Sequence, residues 1–112
     1  MNYEEMSYFE INKRVGMYLG RSVSAEHECI KTGSCLLLTS KAFERIEFNP
    51  CNNPSDAWPI IVENKIGVVH NWNEEGMWTA IAPMSGVSCD CNGRNPLRAA
   101  MICFLKMKDA EQ

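Results

Sequence analysis

Two Asn-Pro pairs, Asn53-Pro54 and Asn95-Pro96, constrain this chain more than any other feature. Each is followed within a few residues by an apolar run, Ala57 to Val62 in one case and Leu97 to Leu105 in the other. Asparagine caps helices because its side-chain oxygen accepts an otherwise unpaired backbone N–H. Proline suits the first helical position, where its missing N–H costs nothing. Both stretches therefore read as helix beginnings. In the first, Asn53 and Ser55 compete as the cap. Pro59 would clash in a helix interior, so it should lie in or near the first turn, which favours Ser55. Asp56 then complements the helix dipole, and Trp58, Ile61 and Val62 share a face. Asn64 is the expected left-handed terminator. In the second, Asn95 caps a helix that is apolar around most of its circumference and is expected to be largely buried.

A third helix is expected over residues 8 to 19. Ser7 and Glu10 have the spacing of a capping box, and Met6 and Ile11 that of a hydrophobic staple. Ile11, Val15, Tyr18 and Leu19 form its apolar stripe, with Asn12, Lys13 and Arg14 beside or opposite it. Gly20 is a natural stop. Residues 65 to 82 read as a β-hairpin, with Ile66, Val68 and His70 alternating on one arm and Met77, Thr79 and Ile81 on the other. Asn73 to Gly76 supplies the turn. Residues 35 to 39 fit either a strand or part of a helix, and residues 43 to 48 either a strand or a loop. Residues 83 to 94, rich in turn formers, are expected to be a loop. The 112 residues suit one domain spanning 1–112. Helices and strands without strict alternation predict an α+β fold, with about three helices packed on a small antiparallel sheet in a sandwich-like arrangement.

Composition narrows the function classes. A net charge of −3 disfavours general nucleic-acid coating, since phosphate attraction needs a basic surface. No apolar run approaches the roughly 20 residues that span a bilayer, and MNYEEMSYFE lacks the layout of a secretory signal. A cytosolic protein is expected. The six cysteines then read as reduced thiols, because their spacings do not match the usual zinc knuckle. No metal and no cofactor are expected. The two histidines, His27 and His70, have no recognisable catalytic companions, and there is no phosphate-cradling glycine loop or nucleophile elbow. The expectation is a protein that binds and does not catalyse.

Three blocks bring a family into view: YFEINKRV, FNPCNNPSDAWPIIVEN and NPLRAAMICFLKMK. In order and spacing they resemble the phage NinX-like proteins, small accessory proteins of lambdoid bacteriophages. The middle and last blocks are also similar, more loosely, to the phage α-β-α sandwich domain. The resemblance implies a bacteriophage protein acting in the bacterial host cytosol. It implies no activity, because the family is described as being of unknown function.

The candidate site is the meeting place of the two Asn-Pro helix starts. Asn49, Asn52, Asn53, Asp56 and Trp58 would line one side, Asn95 and Arg98 the other; Lys13 and Arg14 would add positive charge if they point toward the same edge, and are otherwise a solvated face. Arg98 is informative because a cation in a first helical turn opposes the dipole. Asp56, a carbonyl or a bound anion should offset it. Trp58 could stack on a base, or fill the core. The expected ligand is a small anion, with a cyclic nucleotide signal of host antiviral defence as the candidate, held by a homo-oligomer. The alternative is a protein-binding adaptor or inhibitor of a host or phage factor, using Trp72, Trp78 and Met77 of the hairpin.

Overall fold

A computed structural model describes residues 3–24, 33–38, 45–70, 75–82, 87–93 and 95–110. The N-terminal helix α1 runs Tyr8–Tyr18. The Ser7 hydroxyl accepts the Glu10 N–H at 3.2 Å, as the capping-box spacing predicts. α1 ends at Leu19, and the next two residues close a Schellman motif. The Gly20 N–H donates to the Met17 carbonyl and the Arg21 N–H to the Gly16 carbonyl. Gly20 takes the left-handed φ of +77° that this motif demands.

Two open antiparallel sheets follow where one was expected. The first joins β1 (Ser22–Ser24), β2 (Cys35–Leu38) and β3 (Arg45–Phe48). The short apolar run at 35 and the alternating run before Asn49 are thus both strands, paired Cys35 to Phe48 and Leu37 to Ile46. Residues 39–44, including Phe43, lie outside the described residues. The second sheet joins β4 (Gly67–His70), β5 (Trp78–Ala82) and β6 (Val87–Gly93). The expected hairpin is β4 with β5, in register Val69 to Thr79. The expected loop at 83–94 is corrected by β6. Its run of Ser, Cys, Asp and Asn has little strand propensity of its own, but it pairs the otherwise open edge of β5, through an irregularity between Trp78 and Ala80.

α2 spans Pro54–Glu63 with Asn53 as its cap, two residues earlier than the Ser55 that Pro59 suggested. Pro59 therefore sits in the helix interior. The carbonyl its absent N–H would have reached belongs to exposed Ser55, so the loss is on the solvent side. The buried face is Ala57, Ile60 and Ile61. Asn64 caps the end with ordinary φ, and Lys65 takes the left-handed position at φ +54°. The Lys65 N–H donates to the Val62 carbonyl and the Ile66 N–H to the Ile61 carbonyl, a second Schellman motif.

α3 spans Pro96–Ala110, and every residue from Ala99 to Leu105 is buried. It packs on α1, on α2 and on all three strands of the second sheet, while α1 covers β1 and β2. A helix surrounded this way must be apolar on all sides. Near its end, Asp109 accepts hydrogen bonds from the hydroxyls of Tyr3 and Tyr18. Burial acts to raise the Asp109 pKa, but the two phenol hydrogen bonds outweigh it and hold the carboxyl below its ordinary value.

The two Schellman motifs make a direct comparison. Glycine occupies one left-handed position and lysine the other. A non-glycine residue there costs roughly 1–2 kcal/mol, against roughly 0.5–1 kcal/mol for the extra unfolded-state freedom of glycine. Lys65→Gly is therefore expected to stabilise the fold by roughly 0.5–1 kcal/mol in urea unfolding. A loss of stability would show that Lys65 makes a favourable contact in the fold.

Candidate functional site: a closed asparagine seam and an open tryptophan cleft

The structure gathers five of the nine predicted site residues, Asn49, Asn52, Asn53, Asp56 and Asn95, into one hydrogen-bonded group. Asn12, which the apolar stripe placed beside or opposite the packed face, is completely buried. Its Nδ2 donates to the Gly33 carbonyl at 3.0 Å and to Asn49 Oδ1 at 2.8 Å. Its Oδ1 accepts the Cys51 N–H at 3.1 Å. Both ends of the amide are thus satisfied, which is what lets it be buried. Asn49 Oδ1 also accepts from Asn52 Nδ2, and the Asn49 N–H donates to Asp56 Oδ2 at 2.9 Å. Asn53 Oδ1 caps α2 through the Ser55 N–H. Asn95 Oδ1 caps α3 through the Leu97 and Arg98 N–H groups. Asn95 Nδ2 then reaches across to the Cys51 carbonyl at 2.7 Å and to Asn52 Oδ1 at 3.1 Å. The two helix starts do meet, around the backbone of Cys51, in a seam of mutual hydrogen bonds.

Arg98 finds one of the three partners foreseen for it, the carbonyls. Its Nη2 donates to the Met6 carbonyl at 2.7 Å and the Glu4 carbonyl at 3.1 Å, with Tyr3 O at 3.5 Å. The guanidinium lies 5.1 Å from the centre of the Tyr8 ring. These carbonyls lie in and just after the 3-10 turn Tyr3–Glu5, so Arg98 fastens the N-terminal segment to α3. Lys13 and Arg14 are half-buried on the flank of α1. The charge of Arg14 acts on Tyr18, and that of Lys13 on Cys35. No hydrogen bond among the described residues ties either cation to the seam.

Trp58 is separated from this group. It is 65% exposed, neither core nor seam, because Ala57, Ile60 and Ile61 occupy the buried face of α2. The spacing put Trp58, Ile61 and Val62 on one face; the structure buries Ile61 and leaves Trp58 and Val62 outside. The two are four residues apart on the edge of α2, and Lys65 lies just past its cap, outside the helix. All three wall a cleft of about 520 Å³ with Ile66, Val68, Trp78, Pro96 and Leu97. That volume lies within the range of small-ligand sites. Trp78 also stands 4.8 Å from the ring of His70, its cross-strand partner. Trp72 lies outside the described residues.

Three of the cysteines, Cys35, Cys51 and Cys103, are buried thiols outside any disulfide. Burial pushes the Cys35 thiol up to about 11 and the Cys51 thiol up to about 12, which makes both poor nucleophiles at neutral pH. Among the described residues no three His, Cys, Asp or Glu side chains come together in a way that could hold a metal ion. No helix among them is long and apolar enough to cross a membrane.

Comparison with known families decides the kinship. The chain matches the family described as Bacteriophage P22, NinX over residues 2–108. It belongs to that family. The match includes α1, both sheets and nearly all of α3, so the three blocks noted in the sequence are parts of one continuous relationship. No curated protein matches the chain. The NinX-family protein described here is thus a phage accessory protein of unknown function, and family membership assigns it no activity.

The cleft was missed in the sequence because its walls come from three elements far apart in the chain. The available signal was Trp58 itself, one position out of step with the 57, 60, 61 stripe. Arg98→Ala is expected to lower the unfolding free energy by roughly 2 kcal/mol, since it removes charge-assisted hydrogen bonds from half-buried carbonyls. The N-terminal segment should then become the first site of limited proteolysis. Unchanged stability would mean that the guanidinium is free for a ligand.

Proposed function

We propose that this NinX-family protein works by binding, not catalysis, and that a protein partner docks in the cleft between α2, the β4–β5 hairpin and the start of α3. One observation carries this reading: Trp58 and Val62, 65% and 55% exposed, stand side by side on the wall of an apolar cleft. Large apolar side chains left in water beside a concavity are what interface anchors look like before the partner arrives. In this reading the partner site lies near the Trp-bearing hairpin, with Trp58 of α2 joining Trp78. Asn49, Asn53, Asp56, Asn95 and Arg98 act in this reading as the frame that fixes the two helix starts.

A second reading, sequestration of a small anionic nucleotide signal of host antiviral defence, is favoured by one feature. The Trp58 ring and the Lys65 ammonium share the cleft, so a base stacking on one brings its phosphate towards the other. The protein partner ranks first because the hydrogen-bonding edges of a base would face apolar walls and lose their water partners. Either role would be carried out in the host cytosol, with self-association and the looser kinship to the phage α-β-α sandwich domain as further parts of the proposal.

Site-specific photocrosslinking in phage-infected bacteria tests the cleft. A benzophenone side chain replaces Val62 in the cleft or, as a control, Met17 on the exposed face of α1. The expected result is a discrete protein adduct from position 62, lost with Trp78→Ala, and none from position 17. An adduct from position 17 alone, or from neither, contradicts the reading. A selective rise in melting temperature with one nucleotide, abolished by Trp58→Ala, would put sequestration first.

A further inference from the structure

Among the described residues, the one charged side chain in the cleft wall belongs to the one residue, glycines aside, that holds a left-handed backbone. Lys65 occupies the same position after α2 that Gly20 occupies after α1. The turn at Lys65 therefore asks for glycine, and the chain shows elsewhere that glycine serves. Packing does not ask for lysine either, since Lys65 is exposed and no hydrogen bond or ion pair ties its ammonium to the described residues. A cation close to a helix C-terminus complements the dipole, but a residue in the last turn would do that without strain, and α2 has no basic residue there. Strain retained at a residue bordering a binding cleft is an observation that points towards use.

Its location supplies the use. Lys65 lines a space shared with Trp58, Val62, Val68 and Trp78, and its flexible four-carbon stem lets the ammonium reach the border of that space. An apolar group entering that space carries its neighbouring charge past Lys65. We infer that the cleft recognises an apolar side chain flanked by a carboxylate on the partner protein, the apolar group lying between Trp58 and Trp78 and the carboxylate pairing with Lys65. The inference rests on the cleft reading above and adds the partner's charge and the residue that selects it. Charge complementarity decides the occupant: a neutral apolar segment would leave Lys65 without a role, and a basic one would be repelled.

Two fluorescent probes that differ in one charge test it on the full-length folded chain. Anilinonaphthalene sulfonate carries aromatic rings and a single anionic group, whereas phenylnaphthylamine carries the same rings with none. Wild type is expected to bind one molecule of either, saturably. Lys65→Gly should weaken the sulfonate probe by about fivefold, the measure of one partly exposed ion pair, and leave the neutral probe within about twofold. Lys65→Arg should restore the sulfonate affinity, and Trp58→Ala should weaken both probes. Because glycine suits the backbone at position 65, this variant keeps its fold, which near-ultraviolet circular dichroism checks. Unchanged sulfonate affinity in Lys65→Gly, or equal loss of both probes, overturns the carboxylate assignment and leaves the cleft standing. No saturable binding of either probe, or full binding of both to Trp58→Ala, overturns the cleft as well.

Discussion

The buried amide of Asn12 is the contact on which the rest of this structure depends. It sits on α1, yet its three bonds go to Gly33, Asn49 and Cys51, which belong to the entry of β2 and to the turn before α2. The carbonyl of the same residue, Cys51, is held by the cap of α3. One side chain thus fixes how all three helices and the first sheet meet. Each buried partner left unpaired would cost roughly 1–3 kcal/mol, a large part of the 5–15 kcal/mol that keeps a typical domain folded. A buried polar group of this kind specifies one arrangement where apolar packing alone would tolerate several.

That constraint explains why the helix starts and the open cleft have different characters. The seam needs asparagines because they can cap a helix with the oxygen and bridge to a neighbouring peptide with the nitrogen, as Asn95 does. With its amides paired to each other, the seam is closed by its own bonds. Part of the apolar surface that the fold leaves uncovered lies on the other flank of α2. There Trp58 and Val62 point away from the core that Ala57, Ile60 and Ile61 complete. The polar seam lies at the start of this short helix and the open apolar cleft along its flank, and Lys65 follows the end of the helix at the border of the cleft.

Local chemistry in the sequence anticipated the helices well. The caps at Ser7 and Asn95, the stop at Gly20 and the all-round burial of α3 follow from groups within four residues of one another. The hairpin followed from alternation. β6 did not, because nothing in its composition favours a strand and its pairing partner is what makes it one. Pro59 misled for a related reason: the rule against proline in a helix interior assumes a full loss, and an exposed carbonyl reduces it. The candidate site was legible as a meeting of Asn-Pro starts, and the foreseen carbonyl partner of Arg98 was found. Its closure was not legible, since Asn12 is separated from Asn49 by 37 residues and shares no pattern with it. Trp58 was singled out as a binding residue, but its company of Trp78 and Lys65 depends on tertiary packing.

The most direct test of a closed seam is native-state hydrogen exchange at the Cys51 backbone N–H, followed by NMR through rising denaturant. This hydrogen lies between Cys51 and the buried Asn12 oxygen. If the seam is architecture, it exchanges only through global unfolding, at the free energy of the slowest amides of α3. Exchange orders of magnitude faster than α3, insensitive to denaturant, would show that the seam opens in the native state and would return the asparagines to the status of a binding pocket.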